Sequence, residues 1–278
     1  MKDAAASAPP MAAPANTGAF TLEQQAMFFR TFGALRVPGL FAAEIATISQ
    51  GFDEVFRDNP VHEVTSPLSL HRVQNPDYGT PRRQIPAPDV VASGDLALGF
   101  IERNPKLSWL RDDPRIVSLA HALLGRDSTY DGSVGNIFNS FIYWHSDYFR
   151  SVVPPETRLK FAFYLEPLDA GSGALRVIPG SNHMGTFRDL LYDEQRETRP
   201  GHLERLFGVP EDQIPCWAIA VTPGDLVVFD NTTLHANFNG GPHRRLFTIG
   251  FSQPAPRTEQ PAPRTEQPAP GPTAAPPA

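Results

Sequence analysis

The stretch FIYWHSDYF, from Phe141 to Phe149, sets an imidazole, His145, and a carboxylate, Asp147, two residues apart in a run that otherwise reads as a β-strand. Side chains at i and i+2 of a strand project to the same side, so the pair can converge on one ion. Alone, the pattern is weak evidence. With eight histidines and 30 acidic residues in 278, about one His-x-Asp/Glu triplet is expected by chance. His202-Leu203-Glu204 is a second instance, in a polar, Arg/Glu-rich stretch. Context has to decide between them.

A third donor must come from elsewhere in the chain. The best candidate is His235, in PGDLVVFDNTTLHANFNGGPHRRLFTIGF, which follows the strand-like DLVVFD and precedes the strand-like RRLFTIGF. Two histidines and one carboxylate on one face of an octahedral ion leave three positions open, an arrangement suited to non-haem iron(II) handling dioxygen. Structural zinc prefers a closed tetrahedral shell. The single cysteine, Cys216, rules out an internal disulfide or a cysteine-based zinc site.

The elements that must position these donors change character halfway along. FTLEQQAMFFRTFG opens with Thr21 and Gln24 in a capping-box pattern. LFAAEIATISQGFDEVF reads as a second helix, after the apolar ALRVPGL, a candidate strand. DDPRIVSLAHALLG has Asp113 as N-cap, Pro114 at the first helical position and Gly125 as terminator. Between the last two helices, SLHRVQNPDYGTPRRQIPAP reads as a long loop with Arg72, Arg82 and Arg83, the kind that closes over a binding site. Beyond residue 130, runs rich in β-branched and aromatic residues alternate with Gly/Pro turns. Helices followed by many strands argue an α+β fold, or a β-barrel or sandwich covered by helices.

Composition sets the boundaries. Residues 1–18 are small and Pro-interrupted, and the tail 253–278 repeats PAPRTEQ almost without aliphatic side chains. Both read as disordered, because neither can bury enough apolar surface to offset its ordering entropy. One globular domain over 19–252 is expected, with hydrophobic residues at 41% of the chain. A net charge of −6 without a Lys/Arg block argues against nucleic-acid binding. No apolar run reaches spanning length and the N-terminus lacks a signal-peptide core, so a cytoplasmic protein handling a small molecule is expected. His62, His71, His121, His202 and His243 read as surface or capping residues. Gly171, Gly173 and Gly180 read as turn positions, and Arg176 as structural or as a pocket edge.

In order and spacing, the motifs resemble the phytanoyl-CoA hydroxylase-like branch of the iron(II)/2-oxoglutarate-dependent oxygenases. The resemblance runs from TLEQQAMFFRTFGALRVPGLFAAEIATI through WHSDYF and YLEPLDAGSGALRVIPGSNH to PGDLVVFDNTTLHANFNGGPHRRLFTIGF. It implies a double-stranded β-helix, the jelly-roll or cupin-like barrel, with flanking helices. His145 and Asp147 would be the proximal iron ligands and His235 the distal one. The family places an arginine on the last barrel strand for the far carboxylate of 2-oxoglutarate. Arg244 and Arg245 both fit, but adjacent strand residues face opposite sides, and the family offset favours Arg244. Asn237 stands where some relatives carry a hydroxyl that meets the cosubstrate. Asn182 interrupts the family's Pro-Gly-Ser-His signature, so His183 receives no role.

The implied activity consumes dioxygen and 2-oxoglutarate, releases succinate and carbon dioxide, and oxidises a substrate C–H bond. Related halogenases lack the carboxylate, so Asp147 points to hydroxylation, ring closure or desaturation. A specialised-metabolite or antibiotic intermediate is the expected substrate. Acyl-CoA, osmolytes and phosphonates are the alternatives from primary metabolism. A catalytically silent ligand-binding jelly-roll and a cupin-type zinc hydrolase are the readings from other classes.

Overall fold

The computed structural model describes residues 20–58, 61–63, 70–73, 94–138, 142–147, 156–183 and 202–254. Helix α1 (Leu22–Phe32) starts where expected: the Thr21 side chain accepts from the Gln24 amide while the Gln24 side chain accepts from the Thr21 amide. It stops at Gly33, whose φ of 77° only glycine adopts cheaply. Strand β1 (Ala34–Val37) and helix α2 (Ile45–Asp58) follow. Next come β2 (Val61–Glu63), β3 (Leu70–Val73), β4 (Gly94–Leu98) and a short helix α3 (Pro105–Ser108). Helix α4 (Pro114–Leu124) is capped by Asp113, which accepts from the Arg115 amide, and ends at Gly125.

The second half supplies β5 (Thr129–Phe138), β6 (Ile142–His145), β7 (Glu156–Tyr164) and β8 (Arg176–Val177). After helix α5 (His202–Phe207) come β9 (Trp217–Ala218), β10 (Leu226–Asp230), β11 (His235–Asn237) and β12 (Arg244–Pro254). Among the described residues they form an eight-stranded sheet, β1-β10-β7-β12-β5-β4-β3-β2, and a four-stranded sheet, β6-β11-β8-β9. Apart from the parallel β3–β4 pair, neighbours run antiparallel. This is the expected α+β jelly-roll with flanking helices.

Two expectations need correction. Leu70–Val73 is a strand on the large sheet rather than the start of a loop; the rest of that expected loop, with Arg82 and Arg83, lies outside the described residues. Gly94–Leu98, which sequence reasoning did not single out, is a strand that pairs with β5. The last strand also carries on to Pro254, past the boundary expected at Ser252. The expected tails, 1–18 and most of 253–278, lie outside the described residues.

Three apolar clusters separate the layers. The first lies between the large sheet and the helices, joining Ile48 and Phe52 of α2 and Ile116 of α4 to Phe161, Phe163 and Phe247. The second fills the space between the sheets, where Ala34, Ala162, Tyr164 and Phe229 of the large sheet meet Val177 and Trp217 of the small one. The third covers the small sheet's other face with Leu203 and Ile214.

Period-two alternation makes this division legible on β12: Phe247, Ile249 and Phe251 face the helices, while Leu246 faces the inter-sheet space. Phe247 stacks on Phe163 with ring centroids 4.5 Å apart and planes within 5°. Phe247→Ala is expected to cost about 3–5 kcal/mol, since the removed ring leaves a cavity its rigid neighbours cannot fill. Urea denaturation monitored by circular dichroism would measure it.

Candidate metal centre

The small sheet brings the three expected donors together. His145 ends β6 and His235 begins β11, and the two are directly opposite in antiparallel register. Their rings lie 4.2 Å apart between centroids. Asp147 follows β6 by two residues. One oxygen lies 3.9 Å from Nε2 of His145 and the other 3.6 Å from Nε2 of His235. One donor atom from each residue falls within 4.8 Å of the others. Residues 90 positions apart thus meet because β6 and β11 pair. His202-Leu203-Glu204, by contrast, begins helix α5, where residues two apart do not share a face.

His235 is buried and packs on Phe229, ring centroids 4.8 Å apart. Its Nδ1 lies 2.9 Å from the Thr233 carbonyl. A carbonyl only accepts, so Nδ1 carries the proton and Nε2 keeps its lone pair for a cation. Burial, with His145 adding to it, pushes the His235 imidazolium down to about 3. Asp147 is held well below the usual carboxylate range. Burial opposes its charge, but the Lys160 ammonium and the two imidazoles outweigh it. The donor set at neutral pH is therefore one carboxylate and an uncharged, lone-pair-bearing His235, which fits a divalent transition metal.

Both shifts act in one direction on the metal-free fold. An unfolded His235 takes up a proton near its ordinary value of 6.5, whereas the folded site refuses it until far lower pH. Stability is therefore complete above that value and is lost as pH falls. Acidifying from 6.5 to 5 should cost about 2 kcal/mol from His235 alone. Chemical denaturation of metal-free protein across that range would show it, and His235→Gln should flatten the slope.

The arginines separate as alternation requires. Arg245 faces α2. Its Nε donates to Glu166 at 2.7 Å, and its Nη1 donates to Asp53 at 2.8 Å and to Ser49 at 3.0 Å. Arg244, opposite Phe138 on β5, is buried on the other face. Its Nη1 donates to the Gly173 carbonyl at 2.9 Å, and its Nη2 lies 3.5 Å from Oδ1 of Asn237. Gly173 and Gly240 press against the guanidinium. A Cβ at Gly173 would stand 2.5 Å from Nη1, and one at Gly240 would overlap the head group outright. Gly173, expected only as a turn, is thus also part of this cradle.

Asn237, two residues after His235 on β11, accepts from the Ile142 amide at 2.8 Å. It bridges the irregular register between β6 and β11. The remaining candidates resolve into structure. Arg176 donates to the carbonyls of Asp212 and Ala170 and covers the Phe238 ring. His183 meets the Thr31 carbonyl at 3.3 Å, and His243 is exposed at a φ of 61°. The side chains of His62, His71 and His202 lie outside the described residues.

Sequence reasoning missed Lys160. From β7 of the large sheet its Nζ reaches Asp147 Oδ2 at 2.7 Å. Its one sequence signal is the alternation of RLKFAFY, which puts Lys160 on the same face as Ala162 and Tyr164.

The phytanoyl-CoA dioxygenase (PhyH) family model matches residues 29–245. Comparison with curated proteins gave no match. Among solved structures, the epimerase SnoN from nogalamycin biosynthesis, in complex with Fe3+, alpha ketoglutarate and nogalamycin RO, is 19% identical. Its TM-score is 0.57, and the alignment covers 84% of this chain and 86% of that one. The non-heme alpha ketoglutarate dependent carbocyclase SnoK, from the same biosynthesis, is 15% identical with a TM-score of 0.58, covering 89% and 91%. HygX from Streptomyces hygroscopicus, with nickel and 2-oxoglutarate bound, is 15% identical with a TM-score of 0.55, covering 82% and 85%. No helix among the described residues is long and apolar enough to cross a membrane.

Proposed function

The chain belongs to the phytanoyl-CoA dioxygenase family, and from that premise we propose that it is a cytoplasmic iron(II)/2-oxoglutarate-dependent dioxygenase. It oxidises a C–H bond of a small polar molecule, by hydroxylation or ring closure, within residues 19–252. The observation that carries the reading is the convergence of His145, Asp147 and His235 from two paired strands, with their donor atoms within 4.8 Å. Iron(II) in such a site supplies the chemistry that couples loss of carbon dioxide from 2-oxoglutarate to oxidation of the substrate.

The chain's own residues do the rest. Asp147 contributes the negative charge, and the Thr233 carbonyl fixes the His235 ring so that Nε2 faces the cation. Arg244, held by the Gly173 carbonyl, clamps the far carboxylate of 2-oxoglutarate, a task suited to a planar five-donor head group in a half-dry site. Asn237 accepts from both the Arg244 guanidinium and the Ile142 amide, so it steadies Arg244 and ties β6 to β11. Solved neighbours named as an epimerase and a carbocyclase of nogalamycin biosynthesis support a specialised-metabolite intermediate as substrate.

The test is anaerobic addition of 2-oxoglutarate to the iron(II) protein. A visible charge-transfer band, followed by succinate release on admitting oxygen, is the expected result. Neither band nor succinate would leave a ligand-binding jelly-roll, and turnover without oxygen would point to hydrolysis. A band perturbed by one compound of a metabolite panel would identify the substrate class.

A further inference from the structure

The chain has three lysines, Lys2, Lys106 and Lys160, against 21 arginines, and one of those lysines sits at the metal donors. Lys160 projects from the inter-sheet face of β7. It is opposite Gly250 of β12 on one side and Phe229 of β10 on the other. Glycine leaves the lysine stem uncrowded, while Phe229 also packs on His235. The ammonium thereby reaches across from the large sheet to a carboxylate anchored on the small one.

The two carboxylate oxygens are not equivalent. Oδ2 accepts from Lys160 at 2.7 Å and lies 3.6 Å from Nε2 of His235, while Oδ1 lies 3.9 Å from Nε2 of His145. We propose that Lys160 is a positioning residue for Asp147: it holds Oδ2 so that the carboxylate offers a single oxygen to the cation. This rests on the iron(II)/2-oxoglutarate reading above. An octahedral ion has six positions. Two histidines, one carboxylate oxygen and a keto acid would fill five of them and leave one. A carboxylate gripping with both oxygens would take the sixth, or compete with the keto acid for its place. The partner that orients a ligand therefore governs what else can bind.

Lys160→Met is the variant, Lys160→Arg its conservative partner, and anaerobic titration the readout. Manganese(II) or iron(II) is titrated first, then 2-oxoglutarate, following the visible band. In Lys160→Met, metal affinity should be unchanged or tighter, because a neighbouring positive charge is gone. The 2-oxoglutarate dissociation constant should rise about 10- to 100-fold and the band maximum should move; Lys160→Arg should restore both.

A wild-type band with unaltered 2-oxoglutarate affinity and band maximum in Lys160→Met would overturn the inference alone. So would joint loss of metal, keto acid and thermal stability that arginine does not rescue, since that is the mark of a merely structural lysine. Absence of the band in the wild type would instead overturn the iron reading on which the inference stands.

Discussion

Replacing His235 with alanine is expected to lower iron-dependent succinate release by about 10³-fold or more, equivalent to roughly 4 kcal/mol in the barrier. The expectation follows from the donor count. His145 and Asp147 lie on one short segment, and His235 alone closes the set from the opposite strand. Its Nδ1 is already committed to the Thr233 carbonyl and its ring packs on Phe229, so Nε2 is held where the other two donors converge. The fold should survive. The substitution leaves a modest cavity beside Phe229, costing about 2–3 kcal/mol by analogy with other large-to-small changes. Metal binding measured by manganese(II) titration, with succinate quantified in parallel, would check it. Retained tight metal binding and turnover in the variant would show that residue 235 is no ligand.

The second large effect separates two adjacent arginines. Arg244→Met should weaken 2-oxoglutarate binding by about 2–5 kcal/mol, roughly 30-fold to several-thousand-fold, as expected when one member of a buried charge pair is truncated. Arg245→Met should leave that affinity within about threefold and cost stability instead. Its guanidinium ties Glu166 to Ser49 and Asp53 of α2 at a partly exposed site, where such pairs contribute about 1 kcal/mol. Anaerobic titration of the keto acid into both iron(II) variants, with melting temperatures alongside, makes the comparison direct. The reverse pattern would reassign the anchor to Arg245.

Much of this was readable from residue types and spacing, for local reasons. Thr21 with Gln24, and Asp113 with Pro114 and Gly125, mark helix ends because capping is settled within four residues. His145 and Asp147 were readable as a pair because a strand puts i and i+2 on one side. Which of Arg244 and Arg245 faces the inter-sheet space reduced to parity, and the burial of Phe247 and Ile249 on the helix side fixes that parity.

What escaped reading depends on pairings far apart in the chain. Gly94–Leu98 carries little β-branched character and becomes a strand because β5 lies beside it. Lys160 is an ordinary polar residue of an alternating strand until two sheets fold over one another and bring it to residue 147. The tight fit of Gly173 and Gly240 on Arg244 likewise has no local signature, since either glycine suits a turn.

The metal donors and the proposed clamp stand on different walls. His145 and His235 are carried by the four-stranded sheet, and Arg244 by the eight-stranded one. The distance between them is set by the side chains wedged in the intervening seam, among them Ala162, Tyr164 and Val177. A close-packed seam yields little, so on the proposed reading the barrel is expected to act as a gauge for keto diacid length. A homologue one methylene longer is then expected to buckle or release an end, and resizing a seam residue to reset the length accepted without touching either proposed anchor.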